Sequence, residues 1–332
     1  MEQQKKTVSV IIPNYNGRHL LETYLPHTFA VLAGTGLPFE VIVVDDNSTD
    51  QSADFIKADY PQINLIVSRQ NKGFSHSCNL GIQAARYDLI LLLNSDVKLL
   101  PGYFDTQWKY FERPDTFGVM GRIIDMEGDG IQDAARIPAF NGLKLKTAFF
   151  YYSPVSDDEC YTLYLSGANA LIDASKLKTI GGFDELFSPF YGEDLELSIR
   201  AWRMNWKCYY AHQAVCRHMG QASTKNYKTA RWVKSIYYRN RFFVHALHLD
   251  GLARLGWFLQ ISIIDLLPKL LAGQLWMWQS YTGLIKAWRS IRASRKKLAR
   301  LMQQNHSKTS LPQLVKYLQA SVKGKNINRF KA

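Results

Sequence analysis

The sequence predicts an α/β fold, a mostly parallel sheet flanked by helices, followed by a C-terminal helical extension. Three observations carry this reading. Apolar β-branched runs alternate with helical patterns over the first hundred residues, the signature of a parallel sheet wrapped on both faces. The run Leu89-Ile-Leu-Leu-Leu93 is apolar enough to be buried on both sides and ends abruptly in Asn94, Ser95 and Asp96, at the kind of strand end where open sheets meet their ligands. From Arg217 onward Asp250 and Asp265 are the only carboxylate side chains, in a chain of formal charge +13. Composition therefore shifts there toward a basic, aromatic region.

A length of 332 residues with 47% hydrophobic content allows a sizeable core, as one large domain with an appendage or as two domains. Cys78, Cys160, Cys208 and Cys216 show no CxxC spacing, which suits reduced thiols rather than a secreted scaffold. Met1-Glu-Gln-Gln-Lys-Lys6 is polar and leads straight into a strand, so a cytoplasmic catalytic part is expected.

Taken in order, Thr7–Ile12 is a β-branched strand stopped by Pro13 and followed by the loop Asn14-Tyr-Asn-Gly17. A helix is expected from His19 to Leu32, and Phe39–Val44 forms the second strand, ending in Asp45-Asp-Asn-Ser-Thr-Asp50. There Asn47 or Ser48 can cap a helix starting near Asp50. Ile63–Val67 is a third strand, and Asn71-Lys-Gly-Phe-Ser75 opens a helix to about Arg86. The strand at Leu89–Leu93 follows. No GxGxxG or GxxxxGK[ST] appears after the first strand, which weakens a dinucleotide reading and removes P-loop chemistry. Further on, Val119–Ile124 and Leu165–Ile172 read as strands, 125–160 as loops with an aromatic patch at Phe149–Tyr152, and Ser175–Ile180 as a short helix. A last helix of this part begins at Tyr191-Gly-Glu-Asp194 and runs to about Asn205.

Two sets of side chains invite chemistry. Asn94, Ser95 and Asp96 can form a simple turn, or can deliver a carboxylate to hold a divalent metal against a phosphate. Glu193 and Asp194 are favourable at a helix N-terminus in any case, and a carboxylate there can equally serve as a base at the lip of a cleft.

The ordered segments Val8-Ser-Val-Ile-Ile-Pro-Asn-Tyr-Asn16, Val43-Val-Asp-Asp-Asn-Ser-Thr-Asp50, Asn71-Lys-Gly-Phe-Ser75 with Asn79-Leu-Gly81, and Asn94-Ser-Asp96 together resemble the family 2 glycosyltransferases, whose GT-A fold is Rossmann-like. Ser166-Gly-Ala168, Gly181-Gly-Phe-Asp-Glu185, Gly192-Glu-Asp194 and Arg217-His-Met-Gly220 continue the resemblance, which covers roughly residues 7–225 and is nearest to a bacterial branch that includes rhamnosyltransferases. The resemblance implies a nucleotide-diphosphate sugar donor bordered by Pro13, Tyr15, Asn16, Lys72, Gly73 and Asn79. Tyr15 would flank the base and Asp46 would accept its imide N–H, with Asp45 serving the same end or only capping the turn. Asn94 or Ser95 would meet the ribose. Asp96 and His218 match the metal positions, for Mn²⁺ or Mg²⁺, although Asn94-Ser95-Asp96 leaves one carboxylate where two are usual. Asp194 matches the base of an inverting displacement, with Glu193 as the fallback, and Asp184 and Glu185 would bind the acceptor sugar.

After about Asn226 the family motifs stop. A helix is expected from Tyr227 to Leu249, then apolar segments around Leu255–Ile264 and Leu266–Leu284 broken by Asp265, Pro268 and Lys269. These are too short to span a membrane cleanly. Amphipathic helices in an anionic membrane interface fit better, with Trp257, Trp276, Trp278 and Trp288 as anchors and the basic stretch Lys286–Arg300 meeting headgroups. The competing reading is a helical cap on the catalytic domain or a dimer contact. No recognition motif supports nucleic acid.

The expectation is therefore a catalytic domain over residues 1–225, a membrane-associating region over 226–300, and a mobile tail over 301–332. Its function is an inverting, metal-dependent glycosyltransferase at the inner face of a cell membrane, using a dTDP-rhamnose or UDP-hexose type donor and a lipid-linked or polysaccharide acceptor in cell-surface glycan synthesis. The alternatives are a catalytically idle glycan- or sugar-nucleotide-binding subunit, and a nucleotidyltransferase, for which Pro13-Asn-Tyr-Asn-Gly17 lacks a basic, Gly-rich triphosphate loop.

Overall fold

The computed structural model describes residues 6–155, 159–220 and 229–331. The first part runs β1 (Val8–Asn14), α1 (Arg18–Gly34), β2 (Phe39–Asp45), α2 (Ser52–Asp59), β3 (Asn64–Val67), α3 (Phe74–Ala84) and β4 (Leu89–Leu93). Then follow β5 (Val97–Leu99), β6 (Thr116–Asp125), β7 (Ile131–Asp133), β8 (Ala135–Asn141), β9 (Lys144–Tyr152), β10 (Cys160–Tyr161) and β11 (Asn169–Asp173). Helices α4 (Ala174–Thr179) and α5 (Glu193–Arg203) precede the long strand β12 (Lys207–His218). The C-terminal part holds α6 (Ala230–His248), α7 (Gly251–Gln260), α8 (Leu267–Leu271), α9 (Leu275–Lys286), α10 (Trp288–Gln304), α11 (Leu311–Ser321) and β13 (Asn328–Lys331).

The main sheet has the order β10-β12-β6-β11-β4-β1-β2-β3. From β1 the chain steps outward in parallel to β2 and β3, then returns to lay β4 on the other side of β1. The carboxyl ends of β1 and β4 therefore form a topological switch point, where a crevice opens between loops that diverge. Beyond β4 the sheet is mixed, with β11 antiparallel to both β4 and β6.

Two apolar cores follow from the period of two along each strand. Ile11, Ile42, Val44, Ile90 and Leu92 face one core; Val10, Ile12, Val41, Val43, Leu91 and Leu93 face the other. The second core is closed by Leu21 and Leu25 of α1 and Ile56 of α2. The first takes in Cys78 and Ile82 of α3 and extends through Phe242, Trp257, Met277, Ile291 and Leu311 to Val322. Gly81 permits the closest of these contacts, since a Cβ there would sit 2.4 Å from Ile11 Cγ2.

Four expectations need correction. The 125–160 stretch is not loop: β8 and β9 form an antiparallel hairpin, β13 adds a third strand, and Phe150 and Tyr151 of the aromatic patch are buried on its opposite faces. Helix α2 starts at Ser52, because Asp50 Oδ1 takes the Ser52 N–H and hydroxyl while Ser48 is engaged by the first loop. The tail expected to be mobile is folded: a Ser310–Gln313 capping box starts α11, which buries Leu311, Leu314, Val315 and Leu318. Finally, α6 is part of the core, and Trp257 and Trp276, expected as membrane anchors, are 0% and 6% exposed against the protein. Apolar side chains spaced for one helix face served both readings equally, and only the tertiary contacts separate them. The 225/226 boundary lies outside the described residues.

Candidate active site

A cleft of about 290 Å³ opens at the β1/β4 switch point. Its walls include Pro13, Asn14 and Tyr15 after β1, Asp46 after β2, Gly73, Phe74 and Ser77 at the start of α3, and Asn94 and Ser95 after β4. Ser166–Ala168, Pro189–Tyr191, Glu193, Asp194 and His218 close the other side.

The loops after β1 and β2 lock each other. Asp45 Oδ2 accepts from Asn14 Nδ2 at 3.0 Å and its Oδ1 from the Ser48 N–H at 2.9 Å, so Asp45 caps the turn, the second of its two expected roles. Asn16 sits in the left-handed region (φ 51) and its Oδ1 accepts the Thr49 N–H at 2.7 Å; it pins the loop and does not line the cleft. Asp46 Oδ2 accepts the Gly73 N–H at 2.7 Å and its Oδ1 the Lys72 N–H at 3.1 Å. Its carboxylate thus ties β2 to the 71–73 loop while one edge faces the cleft. Gly73 has φ +90, and a Cβ there would meet the Pro189 carbonyl at 2.8 Å. The close approach it permits is therefore to Pro189 across the cleft mouth.

Pairing of β5 with β12 sets His218 opposite Val97, which brings Asp96 and His218 together across 122 positions of sequence. Asp96 is 2% exposed, its Oδ1 has no hydrogen-bond partner, and His218 Nε2 lies 3.2 Å away. Gln132, between β6 and β8 on β7, orients the ring. Its Nε2 donates to Asp125 Oδ1 at 2.8 Å and to the His218 carbonyl at 3.0 Å, leaving its Oε1 to accept from His218 Nδ1 at 3.1 Å. With Nδ1 turned to Gln132, Nε2 faces the Asp96 oxygen, and an imidazole nitrogen beside a carboxylate oxygen is a donor pair that a divalent cation takes. Among the described residues there is no group of three or more His, Cys, Asp or Glu side chains that could hold a metal, so this pair fits a cation whose remaining ligands come from elsewhere.

Glu193 and Asp194 open α5 after Gly192, whose φ of +86 turns the chain into the helix. Burial raises both carboxyl groups above the ordinary range; the Asp194 charge adds to the effect on Glu193. Asp194 Oδ1 accepts the Leu195 N–H at 2.7 Å, whereas Glu193 Oε2 is buried with no partner.

Of the other expected residues, Lys72 contributes its backbone, and Asn79, Asp184 and Glu185 lie outside the cleft. Asn79 accepts the Phe183 N–H at 2.8 Å and donates to Glu185 Oε1 at 3.1 Å. Asp184 caps the turn that follows by accepting the Leu186 N–H. The resemblance implies a donor role for Asn79 and acceptor roles for Asp184 and Glu185, but these side chains line a separate hollow with Arg200 and Lys297. Sequence reading missed Gln132, which carries no motif, and Phe74, Ser77 and Phe190. It also missed Asn240, whose Nδ2 donates to the carbonyls of Phe187, Phe190 and Tyr191 at 2.6, 2.9 and 2.8 Å and so holds the cleft lip on α6.

The sequence pattern of the family described as Glycosyl transferase family 2 matches residues 9–181, more than half of the chain. An N-acetylglucosaminyl-diphospho-decaprenol L-rhamnosyltransferase of Mycobacterium tuberculosis is 26% identical over 227 residues, 60% of this chain and 74% of that protein. An undecaprenyl-phosphate 4-deoxy-4-formamido-L-arabinose transferase of Pectobacterium carotovorum is 35% identical over 100 residues. That match takes in 29% of this chain and 31% of the relative, so the chain spans about a third of that protein's length. Among solved structures, a mannosyltransferase from Pyrobaculum calidifontis in complex with GDP-Man and Mn²⁺ superposes with a TM-score of 0.53 at 16% identity, covering 96% of this chain and 87% of that one.

Proposed function

The chain belongs to glycosyl transferase family 2 and is a glycosyltransferase of the GT-A fold, and from that premise we propose that it moves a sugar, with inversion, from a nucleotide-diphosphate donor to a lipid-linked or polysaccharide acceptor in cell-surface glycan synthesis. The observation that carries this reading is the switch-point cleft itself, with the Asp96–His218 pair meeting it on one side and Glu193–Asp194 on the other. The donor nucleotide lies along Pro13–Tyr15, Asp46 and Gly73, with its ribose toward Asn94 and Ser95. A lipid-linked acceptor is the kind named for the mycobacterial relative, and it would set the enzyme against a membrane surface.

In the transfer step an acceptor oxygen forms a bond to the anomeric carbon as the bond from that carbon to the diphosphate oxygen breaks. The electron pair leaves with the diphosphate, and the acceptor proton passes to Asp194. Burying two adjacent carboxyl groups disfavours two negative charges. Glu193, the more buried of the two and with its Oε2 lacking a partner, keeps the proton, and Asp194 stays ionised to act as base. Asp96 and His218 would hold Mn²⁺ or Mg²⁺, which when bound supplies charge neutralisation for the leaving diphosphate.

The test is a thermal-shift panel of UDP, dTDP, GDP and CDP, each with and without Mn²⁺, on the wild type and on Asp96→Ala. A metal-dependent rise with one nucleotide that Asp96→Ala removes is expected. A nucleotide response that Mn²⁺ does not alter, or that survives in Asp96→Ala, would sink the metal assignment. No response to any nucleotide would refute the donor site.

A further inference from the structure

Helix α7, the i→i+5 bonded segment Ile261–Leu266, and α8 form one continuous rod from Gly251 to Leu271. Its inner face packs Trp257 and Ile261 into the core. Its outer face carries Leu252, Leu255, Leu259, Ile263, Leu267 and Leu271, all more than half exposed and reaching 85% at Leu252 and 82% at Leu271. The spacing of three and then four residues keeps them on one side, and the wider turn at Ile261–Leu266 brings the four-residue steps closer to a single line. The row is roughly 30 Å long at 1.5 Å per residue. A rod apolar on both sides is stable only when both sides are covered.

The second arm, α9, returns against this rod: the Ser262 and Tyr281 hydroxyls lie 2.8 Å apart, and Phe258 meets the Tyr281 ring at 5.6 Å. It exposes Leu275, Trp278 and Ile285. Helix α10 then presents Arg289, Arg292, Lys296 and Arg300, spaced by three and four residues and all exposed. No acidic residue occurs after Asp265.

We propose that the outer face of the α7–α9 hairpin inserts into the interface of an anionic lipid bilayer, with the α10 basic row lying on the headgroups. No helix among the described residues is long and apolar enough to cross a membrane, so the hairpin lies in the surface plane. The charge pattern selects lipid over a second copy of this chain. A second copy would offer the basic row no acidic side chain from its own residues after Asp265, whereas anionic headgroups neutralise it. The same hairpin is fixed to the cleft. Ser280 Oγ donates to the Ser235 carbonyl at 2.8 Å, Lys234 Nζ lies 4.4 Å from the Trp276 ring centre, and α6 holds the cleft lip through Asn240. The bilayer is thereby set beside the cleft, where a lipid-linked acceptor would reach it. In this respect the proposal deepens the reading of a membrane-borne acceptor and rests on it.

The experiment is flotation of the full chain with vesicles of phosphatidylglycerol and phosphatidylethanolamine, and separately of phosphatidylcholine. It includes the variants Ile263→Gln/Leu267→Gln/Leu271→Gln and Arg289→Gln/Arg292→Gln/Lys296→Gln. The wild type is expected on anionic vesicles. The apolar triple variant should lose about tenfold or more in partitioning, and the basic triple variant should lose the preference for anionic over phosphatidylcholine vesicles. A wild type that floats with neither, or an apolar variant that floats like the wild type, overturns the proposal. So does a dimer in sedimentation equilibrium that the apolar variant dissolves while no vesicle binding occurs. In Leu271→Trp, a variant at an exposed position, vesicles should shift the added emission to the blue; an unshifted spectrum overturns the proposal even if the triple variants misfold. Donor hydrolysis is read in parallel. Hydrolysis without vesicle binding removes the membrane face alone, and vesicle binding without nucleotide response upholds the face while refuting the proposed function.

Discussion

Asn240 offers the sharpest test of how the cleft is built, because it binds the lip without touching the crevice. Its amide nitrogen donates to three carbonyls, those of Phe187, Phe190 and Tyr191, while its Oδ1 accepts from Arg239 Nε at 2.9 Å. The residue is 0% exposed, so its removal leaves acceptors that water does not readily reach. Two N–H groups serve three oxygens, so the loss amounts to about two full hydrogen bonds at ~1 kcal/mol each plus the desolvation cost of the stranded carbonyls. Asn240→Ala should therefore destabilise by about 3 kcal/mol, read as a lower urea midpoint at unchanged slope. Asn240→Asp should be worse at pH 7, since it sets a buried carboxylate against three carbonyl oxygens. The lip also carries Tyr191 at φ 75 and Gly192 at φ +86 immediately before Glu193, so both variants should weaken nucleotide-dependent stabilisation as well. A loss below about 1 kcal/mol in Asn240→Ala, or Asn240→Asp as stable as the wild type, would refute the claim that α6 holds the lip.

Other predictions follow from the same geometry. Asp194→Asn should cut transfer by about 10²–10⁴-fold while nucleotide affinity by calorimetry stays within a few-fold; loss of nucleotide binding would remove Asp194 from the base role. Gln132→Leu frees His218 Nδ1 and should raise the Mn²⁺ concentration needed for nucleotide-induced stabilisation by about 10–100-fold, with little change in the metal-free melting temperature. His245 donates Nδ1–H to the Arg241 carbonyl and accepts the Leu145 N–H at Nε2, so it must stay neutral; burial pushes it down to about 4. The unfolded chain then binds the extra proton first, so stability should fall between about pH 6.5 and pH 4 by up to ~1.4 kcal/mol per pH unit; a pH-independent urea midpoint across that window in wild type would contradict it. Glu196 adds a lower window: burial would raise it, but Arg200 and His248 hold it down at about 2. Its contribution is present above about pH 4.3 and lost as pH falls toward 2, and Glu196→Gln should remove that acid limb.

The parallel half of the fold was legible because each of its strands is a local apolar run with a polar stop, and the burial of β1, β2 and β4 on both faces needs no long-range information. The β8–β9 hairpin was not, because Lys144-Leu-Lys-Thr-Ala-Phe-Phe-Tyr-Tyr152 mixes charged and aromatic residues without clean alternation. Arg136 of β8 lies over the Phe150 ring of β9 at 3.6 Å, a contact that exists only once the strands have met. The C-terminal third was ambiguous for a related reason. Helical spacing shows that Trp257, Leu259 and Ile263 belong to a helix, but not which of its faces looks inward. The structure divides them, burying Trp257 and exposing the other two.

The same divide runs through the site. Pro13, Tyr15, Asp46, Asn94 and Asp194 were legible through the family resemblance, and the switch-point rule says why they meet: each stands at a strand or helix end that opens on one crevice. Asn79, Asp184 and Glu185 stand one step away, and there the rule has no purchase: Asn79 bonds Glu185 and the Phe183 backbone, and Asp184 accepts the Leu186 N–H. Gln132 is the reverse case, a residue with no motif that acquires its role when β7 pairs with β6 and β12 lies alongside. Its two amide ends are both committed, the nitrogen to Asp125 and the oxygen to His218, so the ring orientation at the proposed metal position is set by the sheet. A histidine at a strand end is an ordinary residue in sequence. One whose far nitrogen meets an amide and whose near nitrogen faces a buried carboxylate oxygen with no hydrogen-bond partner is arranged for a cation, and that distinction exists only in the folded chain.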